Sequence, residues 1–443
     1  MKISSKILSV ILLICLLVPT LAACKNTPPE PEVPATTDFV SELKLDMNST
    51  TLKKEVTVKA FIDGDTTHFH VSDASFPNGV IKARYLAVNT PESTGKIEEY
   101  GKKASQFTKE RLSTATSILI ESDTAGWDAD STGDRYLVWV WYKTNESAEY
   151  RNLNVELLQN GLAIASSSAN NRYGTTCTAA IAQAKAQKLN VHSGQRDPDF
   201  YYGDAVELTL RELRCNIESY ANIKVAFQGI VVKNDGTSAY VEAYDPETDM
   251  YHGIYVYFGF NLSSTGTSIM SYGNEVRVVG TVTYYETGGT YQVSGITYRE
   301  MKPNDPGNIQ KISEGHSPAF VPTDAATFAN GKVNVEINEE LVPFDYAELA
   351  MSTSISMQNL QVVDVYTTSN EDSSSKGAMT LTCTANGVTV KVRTVVLLDQ
   401  NGELVTADYF QGENINVNGF VDYFSGEYQI KVFSLKDITF NQQ

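Results

Sequence analysis

The amino-acid sequence predicts a mostly β protein: an α+β first domain, built as a five-stranded barrel capped by helices, followed by two further β-modules. Three observations predict it. Between residues 51 and 200 a run of five short strands comes first and helices afterwards, the pattern of a small β-barrel capped by helices. Beyond residue 220 the chain is almost entirely strand-like. Within that second half, two stretches repeat one another. At 443 residues the chain exceeds what one core supports, and three folded units fit its length.

The chain opens with Lys2 and Lys6 before an apolar run over 7–17. A membrane span takes about 20 apolar residues, so the run reads as the core of a signal peptide occupying 1–23. Leu21-Ala22-Ala23-Cys24 resembles a bacterial lipobox. That resemblance implies cleavage before Cys24 and a diacylglyceryl group on its sulfur; an ordinary secretory cleavage is the alternative. Two acyl chains hold a protein firmly where one is marginal. The expected location is therefore the cell membrane, lipid-anchored on its extracytoplasmic face. Residues 24–50, with KNTPPEPEVPATT, read as an extended Pro-rich tether.

From Glu55, VTVKAFIDGDTTHFHV alternates on either side of a DGD turn signal, as a hairpin does. VIKARYLAV supplies a third strand. After Thr90-Pro91, Tyr100, Ala104, Phe107 and Leu112 recur at helical spacing. SILIES and RYLVWVWY give the last two strands, joined by the acidic loop DTAGWDADSTGD. Two helices follow, in LNVELLQNGLAIA and CTAAIAQAKAQKLNVHS. This first domain is expected to span 51–200.

A connecting helix over 201–220, AVELTLRELRCNIESY, leads into a module at 221–302. A Pro/Gly/Ser-rich linker is expected at 303–340 and a second module at 341–443. GNEVRVVGTVTYYETGGTYQVSGITY and GENINVNGFVDYFSGEYQIKVFSLKDITF share a Gly, an alternating strand, a second Gly, an aromatic pair, a Gly turn and Tyr-Gln. Each copy looks like an OB-type barrel, with another small barrel or sandwich as the alternative.

Charge is unevenly distributed. Residues 50–204 carry 17 Lys+Arg and 19 Asp+Glu, net −2, whereas 205–443 carry 14 and 29, net −15. Nonspecific nucleic-acid binding draws on cation–phosphate contacts, which disfavours the acidic half and leaves the first domain open. Cys177, Cys215 and Cys383 form no CxxC or Cys/His cluster, so a structural zinc site is not expected. A Cys177–Cys215 disulfide fits an exported chain, but the reading favours free thiols.

The chemistry-bearing residues lie in the first domain: Asp63 and Asp65 in IDGDT, Arg84, Asn89, Thr90, Pro91 and Glu92 in RYLAVNTPE, and Arg135 in DRYLVWVW. Phosphodiester hydrolysis uses oxygen ligands for a hard cation, a base for water and cationic forks for phosphate. Each residue has a structural alternative. Asp63-Gly64-Asp65 suits a turn, Arg84 a buried ion pair, Glu92 a helix N-terminus, and Arg135 the neutralisation of nearby aspartates. Asp128 to Asp134 imitates the start of an EF-hand loop, but Trp139 stands where the closing Glu belongs, so a solvated hairpin loop is expected. His68 and His70 share a strand face without a third ligand and read as surface residues.

IDGDT, RYLAVNTPE, EEYGKKASQFTK, DRYLV, NVELLQNGLA and AQAKAQKLNVHS, in that order, resemble the thermonuclease (staphylococcal nuclease-like) family across roughly 55–195. The resemblance implies an OB-type five-stranded barrel with three helices and calcium-dependent hydrolysis of DNA and RNA to 3′-phosphate ends. It implies Asp65 as a Ca²⁺ ligand, Thr90 as a backbone-carbonyl ligand, Arg84 and Arg135 as phosphate-binding arginines, and Glu92 as general base. Asn89 departs from the family, which usually has a second metal-binding aspartate there. Its amide oxygen still ligates Ca²⁺, with one negative charge fewer and weaker affinity. Two functions follow: a membrane-tethered extracellular nuclease, or a catalytically silent domain kept as a cell-surface binding module. For the modules, the aromatics Tyr284, Tyr285, Tyr291, Tyr423, Phe424 and Tyr428 are available to stack single-strand bases, as OB-folds do, but in such acidic surroundings they are expected mainly to pack the barrels. Protein or an envelope component is the expected partner there.

Overall fold

Three barrels share one strand connectivity. The computed structural model describes residues 36–441 except 74, 75, 95, 96 and 372. The expected signal peptide, Cys24 and the first part of the tether lie outside the described residues. In the first barrel the strands are Lys53–Asp63, Thr66–Val71, Val80–Tyr85, Ser117–Glu121 and Tyr136–Lys143. The first pairs antiparallel with the second and fourth, the second with the third, and the fourth with the fifth. A parallel ladder between the third and fifth closes the sheet, Ala83 opposite Tyr136 and Arg84 opposite Leu137.

The second barrel (Lys224–Asn234, Ser238–Asp245, Met250–Tyr257, Glu275–Tyr285 and Thr290–Ser294) repeats that scheme, with its third and fifth strands parallel. So does the third (Ser354–Thr367, Met379–Ala385, Val388–Thr394, Asn414–Phe424 and Glu427–Val432). Closure removes the free sheet edges that otherwise invite aggregation. The two repeated stretches are the fourth and fifth strands of their barrels. Their second glycines, Gly280 and Gly419, occupy equivalent crowded points: a Cβ on either would lie 2.5 Å from a side-chain carbon of the fifth strand and 2.8 Å from a backbone oxygen. Glycine is required there because the sheet coils tightly enough to press backbone on backbone.

The helices of the first barrel follow its apolar patterning. Gly101–Ser113 buries Ala104, Thr108 and Leu112, and Leu153–Gln159 is buried along most of its length, capped by the Asn152 side chain accepting from the Val155 N–H at 2.9 Å. Gly174–Ala186 buries Cys177, Ala180, Ile181 and Ala184. The run Val138–Trp141 is fully buried, as expected of a strand covered on both faces.

Three expected segments differ from the reading. Part of the tether is folded: Phe39–Glu42 forms a helical turn whose Val40 is buried in the core of the first barrel. The stretch expected as linker carries a strand at Gln310–Ser313, a helix at Ala325–Asn330 and most of a hairpin, Lys332–Ile337 with Glu340–Asp345. Phe328 and Val335 are buried there against the third barrel, an anchoring that the surrounding Pro, Gly and Ser residues obscured. The connecting segment is helical only over Leu210–Cys215, closed by a Thr209–Glu212 capping box, with Val206–Glu207 pairing to the second barrel as a strand. Cys177, Cys215 and Cys383 are free thiols.

The second and third barrels are fastened to one another through buried groups. Glu242 accepts from the N–H groups of Ala319 and Ser354 at 3.0 and 2.7 Å and from the Ser354 hydroxyl at 2.9 Å. Val232 and Tyr240 pack against Phe420. Gly253 lies against the Ser352 backbone, where a Cβ would sit 2.7 Å from the carbonyl carbon.

Candidate active site

The site forms where the first hairpin meets the end of the third strand. Gly64 and Asp65 make the two-residue turn between Asp63 and Thr66, which pair across it. A Cβ on Gly64 would lie 2.9 Å from both Ala104 and Thr90, so glycine lets the turn seat against the following loop and helix. The Thr108 hydroxyl, on that helix, donates to the Gly64 carbonyl at 2.6 Å.

Arg84 stands opposite Thr66 on the neighbouring strand, and its guanidinium spans two oxygens. One terminal nitrogen donates to Asp65 and the other to the Asn89 side-chain oxygen at 2.6 Å. The Thr90 N–H donates to the second Asp65 oxygen at 2.8 Å. Burial pushes the Asp65 carboxyl above its usual range, and Arg84 and the Thr90 N–H pull only part of the way back. The strand itself stops at Tyr85. Ala87, at φ +68°, turns the chain so that Val88–Asn89 pairs with Ile164–Ala165, which sets Asn89 beside Arg84. Thr90 Oγ1 is buried without a hydrogen-bond partner.

Glu92 is exposed, on the loop leading to the helix Gly101–Ser113. Its carbonyl accepts from the Glu98 N–H at 2.9 Å and its own N–H donates to the Glu98 carboxylate at 3.1 Å. Gly101 tightens this loop, because a Cβ there would fall 2.2 Å from the Glu92 carbonyl oxygen. Asp63 lies beneath: it accepts from the Ser93 hydroxyl at 2.8 Å and the Ser93 N–H at 3.2 Å. Burial and a hydrogen bond with Glu92 push the Asp63 carboxyl up to about 8, so the two acids hold a proton between them.

The structure brings Asp65, Arg84, Asn89 and Thr90 into one bonded group and links Glu92 to it through Asp63. Arg135 stands apart. Its guanidinium forks onto Asp130 at 2.6 and 2.7 Å, from the start of the strand that pairs with Arg84's own. Burial raises the Asp130 carboxyl, but hydrogen bonds from Thr132 and Arg135 outweigh it and hold the group below its usual range. The loop 128–134 closes as a hairpin through Gly133 N–H to Asp130 carbonyl at 3.0 Å. Among the described residues no three His, Cys, Asp or Glu side chains are grouped as a metal site. Asp63 is among the residues singled out from sequence, with a turn as its alternative, whereas Gly101 reads there only as one glycine before an amphipathic helix.

The donors around Asp65 fit calcium chemically. They are hard oxygens, a carboxylate, an amide and a carbonyl, with the partnerless Thr90 hydroxyl beside them. Charge is the weak point, since Asn89 supplies none and Arg84 already holds two of the oxygens.

The Asp63 proton has a thermodynamic signature. A carboxyl whose folded pKa is raised stabilises the fold below its unfolded value near 3.8, and that stability is lost as pH climbs to about 8. All three tryptophans, Trp127, Trp139 and Trp141, lie in the first barrel. Urea unfolding followed by their fluorescence should show the barrel weakening between pH 4 and pH 8, with Asp63→Asn flattening that slope. An equal slope in both proteins would exclude the shared proton.

The family model described as staphylococcal nuclease homologue matches residues 82–193. The matched span contains Arg84, Asn89, Thr90, Glu92 and Arg135; Asp65, on the hairpin just upstream, is tied into it by Arg84 and Thr90. The OB-type barrel and the match together identify the first folded unit of this chain as a domain of the staphylococcal nuclease homologue family.

Proposed function

We propose that the first barrel is a calcium-dependent phosphodiesterase that cleaves DNA or RNA and leaves 3′-phosphate ends. The observation that supports this most strongly is the Arg84 fork, held between Asp65 and Asn89 beside the Asp63–Glu92 acid pair. A phosphodiester presents two oxygens to the same fork, and a bidentate guanidinium–phosphate contact is the strong form of that interaction. As Arg84 turns to phosphate, Asp65 and Asn89 are released, and with the Thr90 carbonyl they are the residues that would hold calcium. When bound, calcium supplies positive charge against the charge that develops on the phosphoryl oxygens.

Glu92, exposed on its loop, takes a proton from the attacking water at a carboxylate oxygen. Asp63 keeps its own proton and donates it in a hydrogen bond to that carboxylate, which holds Glu92 in place. Water forms the new bond to phosphorus, and the bond to the 5′ oxygen breaks. Arg135 contributes charge from the adjacent strand once phosphate competes with Asp130 for its fork.

A silent binding domain is the alternative, favoured by Asn89 and by the engagement of Arg135 with Asp130. Hydrolysis of single-stranded DNA with calcium titrated to the millimolar range separates the two. The parent chain should cleave, Glu92→Gln should lose about 100-fold or more in kcat, and Asn89→Asp should reach half-maximal activity at lower calcium. A folded protein that cleaves at no calcium concentration would leave the binding reading.

We further propose that the chain is exported and held at the membrane by lipid on Cys24, on the strength of Leu21-Ala22-Ala23-Cys24. Radiolabelled palmitate should enter the chain during expression in a bacterial host, and Cys24→Ala should abolish labelling. Equal labelling of both would refute the anchor.

A further inference from the structure

A cavity of about 2300 Å³ lies between the first barrel and the two C-terminal barrels. Small-molecule pockets run to roughly 300–1,000 Å³, so its dimensions suit a length of polymer rather than a compact ligand. One end is walled by Phe61 and Ile62, the two residues before Asp63, and by Ser93 and Thr94, the two after Glu92. The cavity therefore opens beside the acid pair.

The opposite wall is made by the hairpins that close the fourth and fifth strands of the second and third barrels. Tyr284 faces Tyr291 across one hairpin with ring centroids 4.9 Å apart, and Tyr423 faces Tyr428 across the other at 5.0 Å, both pairs inclined at 60°. The two hairpins meet: a Cβ on Gly289 would lie 3.5 Å from the Tyr423 ring. Tyr291 and Tyr428 pack inward, as expected, but Tyr284 and Phe424 are about half exposed (53% and 51%), and Tyr285 is 46% exposed. These three aromatic faces line the cavity.

Charge points the same way. Among the described residues seven Lys and Arg and six Asp and Glu line the cavity, although the chain from 205 onward carries net −15. Four of the cations, Lys224, Arg299, Arg393 and Lys431, belong to the C-terminal barrels; Arg299 pairs with Asp305, and Lys109 of the first barrel with Glu286. Arg393 donates to the hydroxyls of Thr380 and Thr368, both at 3.0 Å, and Lys431 lies 5.4 Å from the centre of the Phe433 ring. Neither arrangement cancels the charge. Exposed aromatics that accept bases, beside cations that accept phosphates, are the chemistry of sequence-tolerant single-strand binding. A neutral saccharide would use the rings but not the cations.

We infer that this cavity holds a single strand of nucleic acid, with bases stacked on Tyr284, Tyr285 and Phe424, and leads it to Glu92. The choice of polymer rests on the nuclease reading of the first barrel. The C-terminal barrels are then the substrate-holding part of the enzyme despite their acidic composition.

The test is fluorescence-anisotropy binding of labelled dT20 and dT4 to the full chain in EDTA, which withholds the divalent cation, for the parent and a Tyr285→Ala/Phe424→Ala variant. Both side chains are at exposed hairpin positions, and circular dichroism checks that the variant is folded. The parent should bind dT20 at least about tenfold more tightly than dT4, and the variant should lose about tenfold or more for dT20. Equal dT20 affinity in parent and variant, or a parent that binds chitooligosaccharide through these residues and no dT20, would overturn the inference. Cleavage by the same preparations in calcium keeps the two readings apart. A parent that cleaves without dependence on the two aromatics refutes the cavity alone, and one that binds dT20 through them without cleaving refutes the nuclease alone.

Discussion

The site depends on one guanidinium. Arg84 bridges Asp65 and Asn89, and each of its partners is delivered by a different feature of the barrel: the two-residue turn after the first strand and the left-handed Ala87 that redirects the chain after the third. Asp65 is nearly fully buried, where an unpaired carboxylate would cost several kcal/mol. The arginine compensates that cost, with its two terminal nitrogens held toward two different oxygens. The parallel ladder that closes the barrel runs through Arg84 itself, opposite Leu137, so fold closure and site geometry are the same constraint.

Three barrels of identical strand order have been put to different uses. The first carries the acids and the arginine at one end. The other two are locked together through Glu242 and the Gly253–Ser352 contact, and they offer paired tyrosine hairpins to the space between. Glu242 is buried without a cation, its charge answered by two backbone N–H groups and a hydroxyl. Such an arrangement is favourable only in one relative orientation of the two barrels.

Much of this was legible in the sequence because it rests on short-range patterns. The DGD turn, the apolar run RYLVWVWY and the Tyr-Gln repeat each specify a local geometry, and the order of the motifs in the first domain specifies their assembly. What was not legible depends on contacts between residues far apart in the chain. That Asp63 shares a proton with Glu92 requires the loop after residue 90 to fold back over the hairpin, which Gly101 permits by its missing side chain. That Arg135 forks onto Asp130 was visible as an alternative, but only the hairpin closure of the loop decides the partner. The tether and linker misled by composition: prolines and glycines signalled loose chain, whereas a few apolar residues, Val40, Phe328 and Val335, are enough to dock those segments. The aromatics divided between packing and exposure: Tyr291 and Tyr428 are partly buried against their barrel cores, whereas Tyr284, Tyr285 and Phe424 stay about half exposed at the cavity. The first barrel shares its strand order with the other two without sharing the residue repeat that relates those two, because OB-type closure constrains strand order and twist far more than residue identity.

The most direct measurement is the cleavage rate of a single-stranded oligonucleotide in saturating calcium by Arg84→Lys beside the parent chain. Lysine keeps the positive charge but cannot span two oxygens. If the fork between Asp65 and Asn89 is the organising element of a phosphodiesterase site, kcat should fall by at least about 100-fold while the tryptophan-reported stability stays close to that of the parent. Parent-like cleavage by the lysine variant would contradict the account, because it would show that a point charge suffices where the structure sets a fork.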